Sequence, residues 1–131
     1  MNPRIFNARP ESFDPEDMNV VVRRLGDSGW LTKDSFVNKT GMLIHYSEKG
    51  WQRMRQFNDF LKSFPPHFFD QPGNQNPVDV AKLVLGAEKL VPELATPPLS
   101  EREYCALLAL ALAFKSNDLG KDAPPSSGRR E

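Results

Sequence analysis

Few side chains in this sequence are suited to nucleophilic, acid–base or metal chemistry. There are two histidines, His45 and His67, and a single cysteine, Cys105. No H-x-x-x-H spacing gives either histidine a second ligand, and there is no C-x-x-C, G-x-S-x-G or Gly-rich phosphate loop. His67 precedes Asp70 in a proline-flanked loop, but nearness in sequence does not align a proton-transfer pair. Cys105 lies in the apolar run Tyr104–Phe114 and reads as a buried, inert thiol. One cysteine excludes an internal disulfide, and disulfide scaffolding and structural zinc with it. Glu16-Asp17 and Glu101/Glu103 stand where helices should begin, and carboxylates are stabilised there by the helix dipole. The expectation is a protein that is not an enzyme and uses no metal and no cofactor.

Binding has to be weighed from the distribution of charge. Across all 131 residues, Lys plus Arg and Asp plus Glu are equal at 17 each. No global positive field draws in nucleic acid, so local placement has to decide. Hydrophobic residues make up 39% of the chain, enough for a real core. The start MNPRIFNARP lacks the apolar stretch of a signal peptide. As a helix, Tyr104–Phe114 would rise about 16 Å, short of the roughly 20 residues that span a bilayer. A cytoplasmic protein with no membrane partner is expected.

The elements that position these residues can be read in order. Asp14-Pro15-Glu16-Asp17 is a capped helix start with proline at the first helical position. Met18, Val21, Val22 and Leu25 recur at helical spacing, giving a helix over 15–27. Phe36-Val37 and Met42-Leu43-Ile44 flank Asn38-Lys39-Thr40-Gly41, giving a β-hairpin at about 35–46 with a four-residue loop. Ser47 caps a helix running to about Phe64 with the stripe Trp51, Met54, Phe57, Leu61 and Phe64. Pro65-Pro66 ends it. Asn76-Pro77 opens a helix to about Val91 through Val80, Ala81, Val84, Leu85 and Leu90, where Gly86 allows close packing. Ser100-Glu101-Arg102-Glu103 is a capping box for a last helix over 101–117. Residues 1–13 read as an arm, 14–118 as one domain, and 119–131 as a disordered tail. The fold class is α+β and mostly helical: helix, wing-like hairpin, helix, then two further helices.

The order helix, LGDSGWL (25–31), hairpin DSFVNKTGMLIHY (34–46) and the phrase Tyr46-Ser47-Glu48-Lys49-Gly50 resembles the back half of a winged-helix domain of the MarR or PadR kind. The resemblance covers residues 15–64. It implies that helix 15–27 is a recognition helix presenting Asn19, Arg23 and Arg24, and that Lys33 and Lys39 belong to the wing. It further implies regulation through double-stranded DNA, with phosphates met by the basic side chains and a base edge by Asn19. The first turn of that helix, PEDMN, is acidic. The other reading is a protein-interaction or self-assembly module with no nucleic-acid role.

The last helix has almost no polar face, so it needs cover on all sides. Either helices 77–91 and 48–64 sandwich it in the core, or a second copy covers it in a homodimer through Tyr104, Leu108 and Leu112.

Overall fold

The computed structural model describes residues 6–8, 14–38, 41–65 and 67–114. Its elements are helix α1 (Pro15–Asp27), strands β1 (Phe36–Asn38) and β2 (Gly41–Leu43), and helices α2 (Glu48–Leu61), α3 (Pro77–Leu90) and α4 (Glu101–Ala113). Two short 3-10 turns, Pro72–Asn74 and Pro92–Leu94, lie on either side of α3. The expected α+β, mostly helical order is therefore present. Lys39, the 119–131 tail and most of the 1–13 arm lie outside the described residues.

Each α-helix starts as its sequence directs. Asp14 accepts from the Asp17 amide at 3.1 Å, and Ser47 from the Gly50 amide at 3.0 Å. Asn76 accepts from the Val78 amide at 2.8 Å. Ser100 and Glu103 form the reciprocal capping box. Each cap satisfies amides that have no partner inside the helix.

The end of α1 sets the course of the chain into the hairpin. The Trp30 amide donates to Leu25 O at 2.9 Å and the Gly29 amide to Gly26 O at 3.0 Å. Gly29 has φ +84°, a left-handed conformation that a side chain would strain. This paired closure ends a helix and turns the chain sharply. It also drops Trp30 onto Leu25, both fully buried.

β1 and β2 pair antiparallel with Phe36 opposite Leu43 and Val37 opposite Met42. An isolated bridge between Leu31 and Tyr46 continues the hairpin toward its root. There, Ser35 Oγ accepts from the His45 amide at 2.8 Å and donates to His45 O at 3.2 Å. Thr32 N–H donates to the same carbonyl at 2.8 Å.

One continuous core runs from Phe6 to Phe114. The chain near its start belongs to it: Phe6 is fully buried, and the Ala8 amide donates to Phe69 O at 3.1 Å. The Phe6 amide donates to Gln75 Oε1 at 2.8 Å. Residues 6–8 thus lie across the domain.

α4 occupies the centre. Tyr104, Cys105, Ala106, Leu107, Leu108, Leu110 and Ala111 are all buried. α1 and α2 cover it, whereas α3 packs on α2 and on the second 3-10 turn. The expected sandwich of α4 by α2 and α3 is corrected in that respect. Of the three expected interface residues, Tyr104 and Leu108 are buried within one chain and Leu112 presents surface. Most of the apolar surface of α4 is buried within one chain.

Two further expectations change. α3 buries Val80, Leu83 and Ala87, while Ala81 is exposed and Leu85 is 61% exposed. α2 stops at Leu61 rather than Phe64. Residues before a proline avoid helical geometry, and Phe64 turns instead into a cluster with Phe60, Phe68 and Phe69 at ring-centroid distances of 5.2, 5.3 and 6.1 Å.

Candidate functional site

The joint between α1, the hairpin and α2 determines where the polar candidates point. Ser47 N–H donates to Trp30 O at 2.9 Å, Ser47 Oγ donates to Gly29 O at 2.5 Å, and Lys49 Nζ donates to Ser28 O at 3.0 Å. The start of α2 is tied to the end of α1 by these three hydrogen bonds. Gly50 makes the close approach possible, because a Cβ there would lie 1.8 Å from Trp30 O. The hairpin is held between these two helix ends at a fixed angle to α1.

A hollow of about 350 Å³ opens between α1 and β1. Val22, Leu31 and Val37 supply its apolar wall, and Phe36 continues that wall toward solvent. Asn19, Arg23, Thr32 and Lys33 supply polar groups. Three of the five residues expected to meet nucleic acid, namely Asn19, Arg23 and Lys33, are therefore brought together. Arg23 and Lys33 are exposed.

Arg24 is not among them. One position further along the helix it points about 100° away, and its guanidinium donates to Glu93 O at 3.2 Å. It belongs to a second polar centre that the sequence does not reveal. Glu93 Oε1 lies 3.7 Å from the Arg53 guanidinium and Oε2 lies 3.7 Å from Lys49 Nζ. Arg53 also donates twice to Leu90 O, at 2.7 and 3.3 Å, and lies over the Trp30 ring at 5.4 Å. Burial pushes the Glu93 carboxyl up, but its own backbone N–H, the Trp30 indole N–H, Arg53 and Lys49 outweigh burial and leave it below the ordinary glutamate value. Trp30 Nε1 and Glu93 Oε1 are both buried. The four charged residues lie at positions 24, 49, 53 and 93, and only the fold assembles them. Their chemistry is structural: they join α1, α2 and the turn after α3.

A third polar device is also cryptic in the sequence. Asn58 is buried, and its amide donates to Ala111 O at 2.6 Å and Phe114 O at 3.2 Å. It supplies Phe114 O with a donor and adds a second one to Ala111 O, which also accepts from the Phe114 amide at 3.2 Å.

At the start of α1, Arg102 pairs with Asp14 at 2.9 Å and with Asp17 at 3.2 Å. Burial raises the Asp17 carboxyl against the pull of Arg102, and Asp14 and Glu103 add to the rise. This end of α1 is acidic in three dimensions as well as in sequence.

Of the residues with catalytic potential, His67 is exposed in its loop and His45 is half-buried beside Ser35 through backbone contacts. Cys105 is buried, and burial raises its thiol pKa although the Asn7 amide donates to Sγ at 3.3 Å. Among the described residues, no three His, Cys, Asp or Glu side chains converge in a way that could hold a metal ion. No described helix is long and apolar enough to cross a membrane.

The hairpin adds one feature that charge does not mark. Phe36, Met42 and Leu43 are 48%, 46% and 43% exposed. Phe36 and Leu43 face each other across the strands and so share one face. The signal was present in the sequence as the apolar residues of two strands too short to bury both faces. Comparison with protein-family models, with curated proteins and with solved structures returned no match, so the geometry of this groove and hairpin stands on its own.

Proposed function

We propose that this chain is a non-catalytic, winged-helix-like recognition module whose working surface is the α1–hairpin groove. The observation that carries this reading is that one concave surface gathers Asn19, Arg23 and Lys33 beside the exposed apolar residues of the hairpin. Large apolar side chains left in solvent next to a groove mark an interaction surface.

The balance of charge favours a protein ligand over a nucleic acid. Glu16, Asp27 and Asp34 are exposed on the same helix and loop as Arg23 and Lys33. Asp14 and Asp17 add negative charge at the end of α1 that a recognition helix would bring toward phosphate. A duplex would meet about as much repulsion as attraction.

A second reading, duplex DNA, draws support from the convergence of Asn19, Arg23 and Lys33 beside a hairpin in wing position. Anisotropy of a labelled random duplex at about 50 and about 200 mM salt separates the two. The protein-ligand reading expects no saturation at tens of micromolar protein. Saturable binding that falls steeply with salt and is lost in the Arg23→Ala, Lys33→Ala double variant would establish the second reading in its place.

A further inference from the structure

The groove has a shape and a charge that specify more than a class of partner. Among the described residues, its lining contains two cations and no carboxylate, although acidic residues stand nearby on both elements. Its wall is apolar. Phe36 and Val37 both line it, yet consecutive strand residues point to opposite faces. The hollow therefore meets β1 along its edge rather than on one face. The sheet has two strands among the described residues, so β1 pairs with β2 on one side and no described strand lies on the other. An unpaired strand edge offers backbone donors and acceptors to an added strand.

Resting on the recognition-module reading, we propose that the groove takes an extended protein segment in which apolar and acidic side chains alternate. The segment lies beside β1 and adds its backbone to that edge. Its apolar side chains cover Val22, Leu31 and Val37, and its carboxylates meet Arg23 and Lys33. Alternation is a consequence of strand geometry, in which successive side chains point to opposite sides. The acidic charge answers Arg23 and Lys33 inside the groove, whereas Glu16, Asp27 and Asp34 stand outside its lining, where a bulkier polyanion such as a duplex would meet them.

The test is a titration of the full chain with a short fluorescein-labelled peptide of alternating leucine and glutamate. A matched peptide of alternating leucine and lysine and a labelled random duplex serve as comparisons. The Leu–Glu peptide should bind, and the Leu–Lys peptide should bind more weakly. The Arg23→Glu, Lys33→Glu variant should weaken the Leu–Glu complex about tenfold, as expected for reversing two exposed ion pairs. Both sites are exposed, and circular dichroism would verify that the variant stays folded. Backbone amide shifts on adding the peptide should centre on Phe36–Asn38. Equal binding of the two peptides, or shifts confined elsewhere, would overturn the proposal. Binding of the duplex with neither peptide bound would overturn it while leaving a recognition module. Failure of all three ligands would count against the recognition-module reading itself.

Discussion

Replacing Gly50 by alanine should destabilise this protein, although the same change usually stabilises a helix. Gly50 is the third residue of α2. In an ordinary helical position, Gly→Ala gains roughly 0.5–1 kcal/mol from reduced chain entropy. Here the added Cβ would lie 1.8 Å from Trp30 O, 2.6 Å from Trp30 C and 2.7 Å from Trp30 Cα. All three are backbone atoms, so no rotamer change relieves the contact. Moving α2 away would stretch the hydrogen bond from the Ser47 amide to Trp30 O, worth about 1 kcal/mol. Crowding of this kind costs about 1–3 kcal/mol. After the entropic gain is subtracted, the net loss is about 1–3.5 kcal/mol. Urea unfolding monitored by fluorescence of Trp30 and Trp51 measures it, with an unchanged m-value showing that the same surface is exposed. Gly26→Ala is the control, because a Cβ there meets nothing within 4 Å and its φ is not left-handed. That variant should match the wild type or exceed it. A Gly50→Ala protein as stable as wild type would refute the close packing of α2 on the α1–hairpin turn, and the fixed groove with it.

Other perturbations test the remaining joints. Asn58→Ala removes the side-chain donor to Phe114 O and one of the two donors to Ala111 O, and should cost about 1–3 kcal/mol in the same urea assay. Glu93→Gln should destabilise the protein at neutral pH with a characteristic pH dependence. The folded carboxyl sits below its unfolded value, so its contribution is full above about pH 4.3 and disappears as pH falls through the lowered folded value. The wild-type advantage over Glu93→Gln should therefore be constant near neutrality and shrink only in acid; an advantage that grew in acid would contradict the arrangement. Cys105 should resist a thiol reagent in the native protein and react on unfolding, since burial both covers it and disfavours the thiolate.

Most of the architecture was legible because it rests on local chemistry. Asp14-Pro15 opens α1 as read, and Asn76-Pro77 and the Ser100–Glu103 box open α3 and α4. These signals act within a few residues of themselves. The sequence concealed contacts that chain distance hides. Arg53 looks like a solvated helix residue until Trp30, Leu90 and Glu93 are placed around it. Asn58 lies among residues of an ordinary helix and becomes a cap only when the end of α4 arrives. Arg24 and Arg23 are neighbours in sequence with opposite fates, one tied to Glu93 O and the other left in the groove. The apolar surplus of α4 suggested a partner because the cover that α1 and Phe6 give the core is invisible along the chain.

The Trp30 carbonyl ties the end of α1 to the start of the next helix. It accepts from the Ser47 amide and fills the space that a side chain at position 50 would need. The hairpin leaves and re-enters the domain through this one knot, between Trp30 and Ser47. The root of the two strands cannot slide along α1 without breaking the knot. Because β1 also packs on α1, a ligand in the groove would meet two walls whose spacing is set at this knot, and Arg23 and Lys33 would present to it a separation that the fold dictates rather than one the ligand selects.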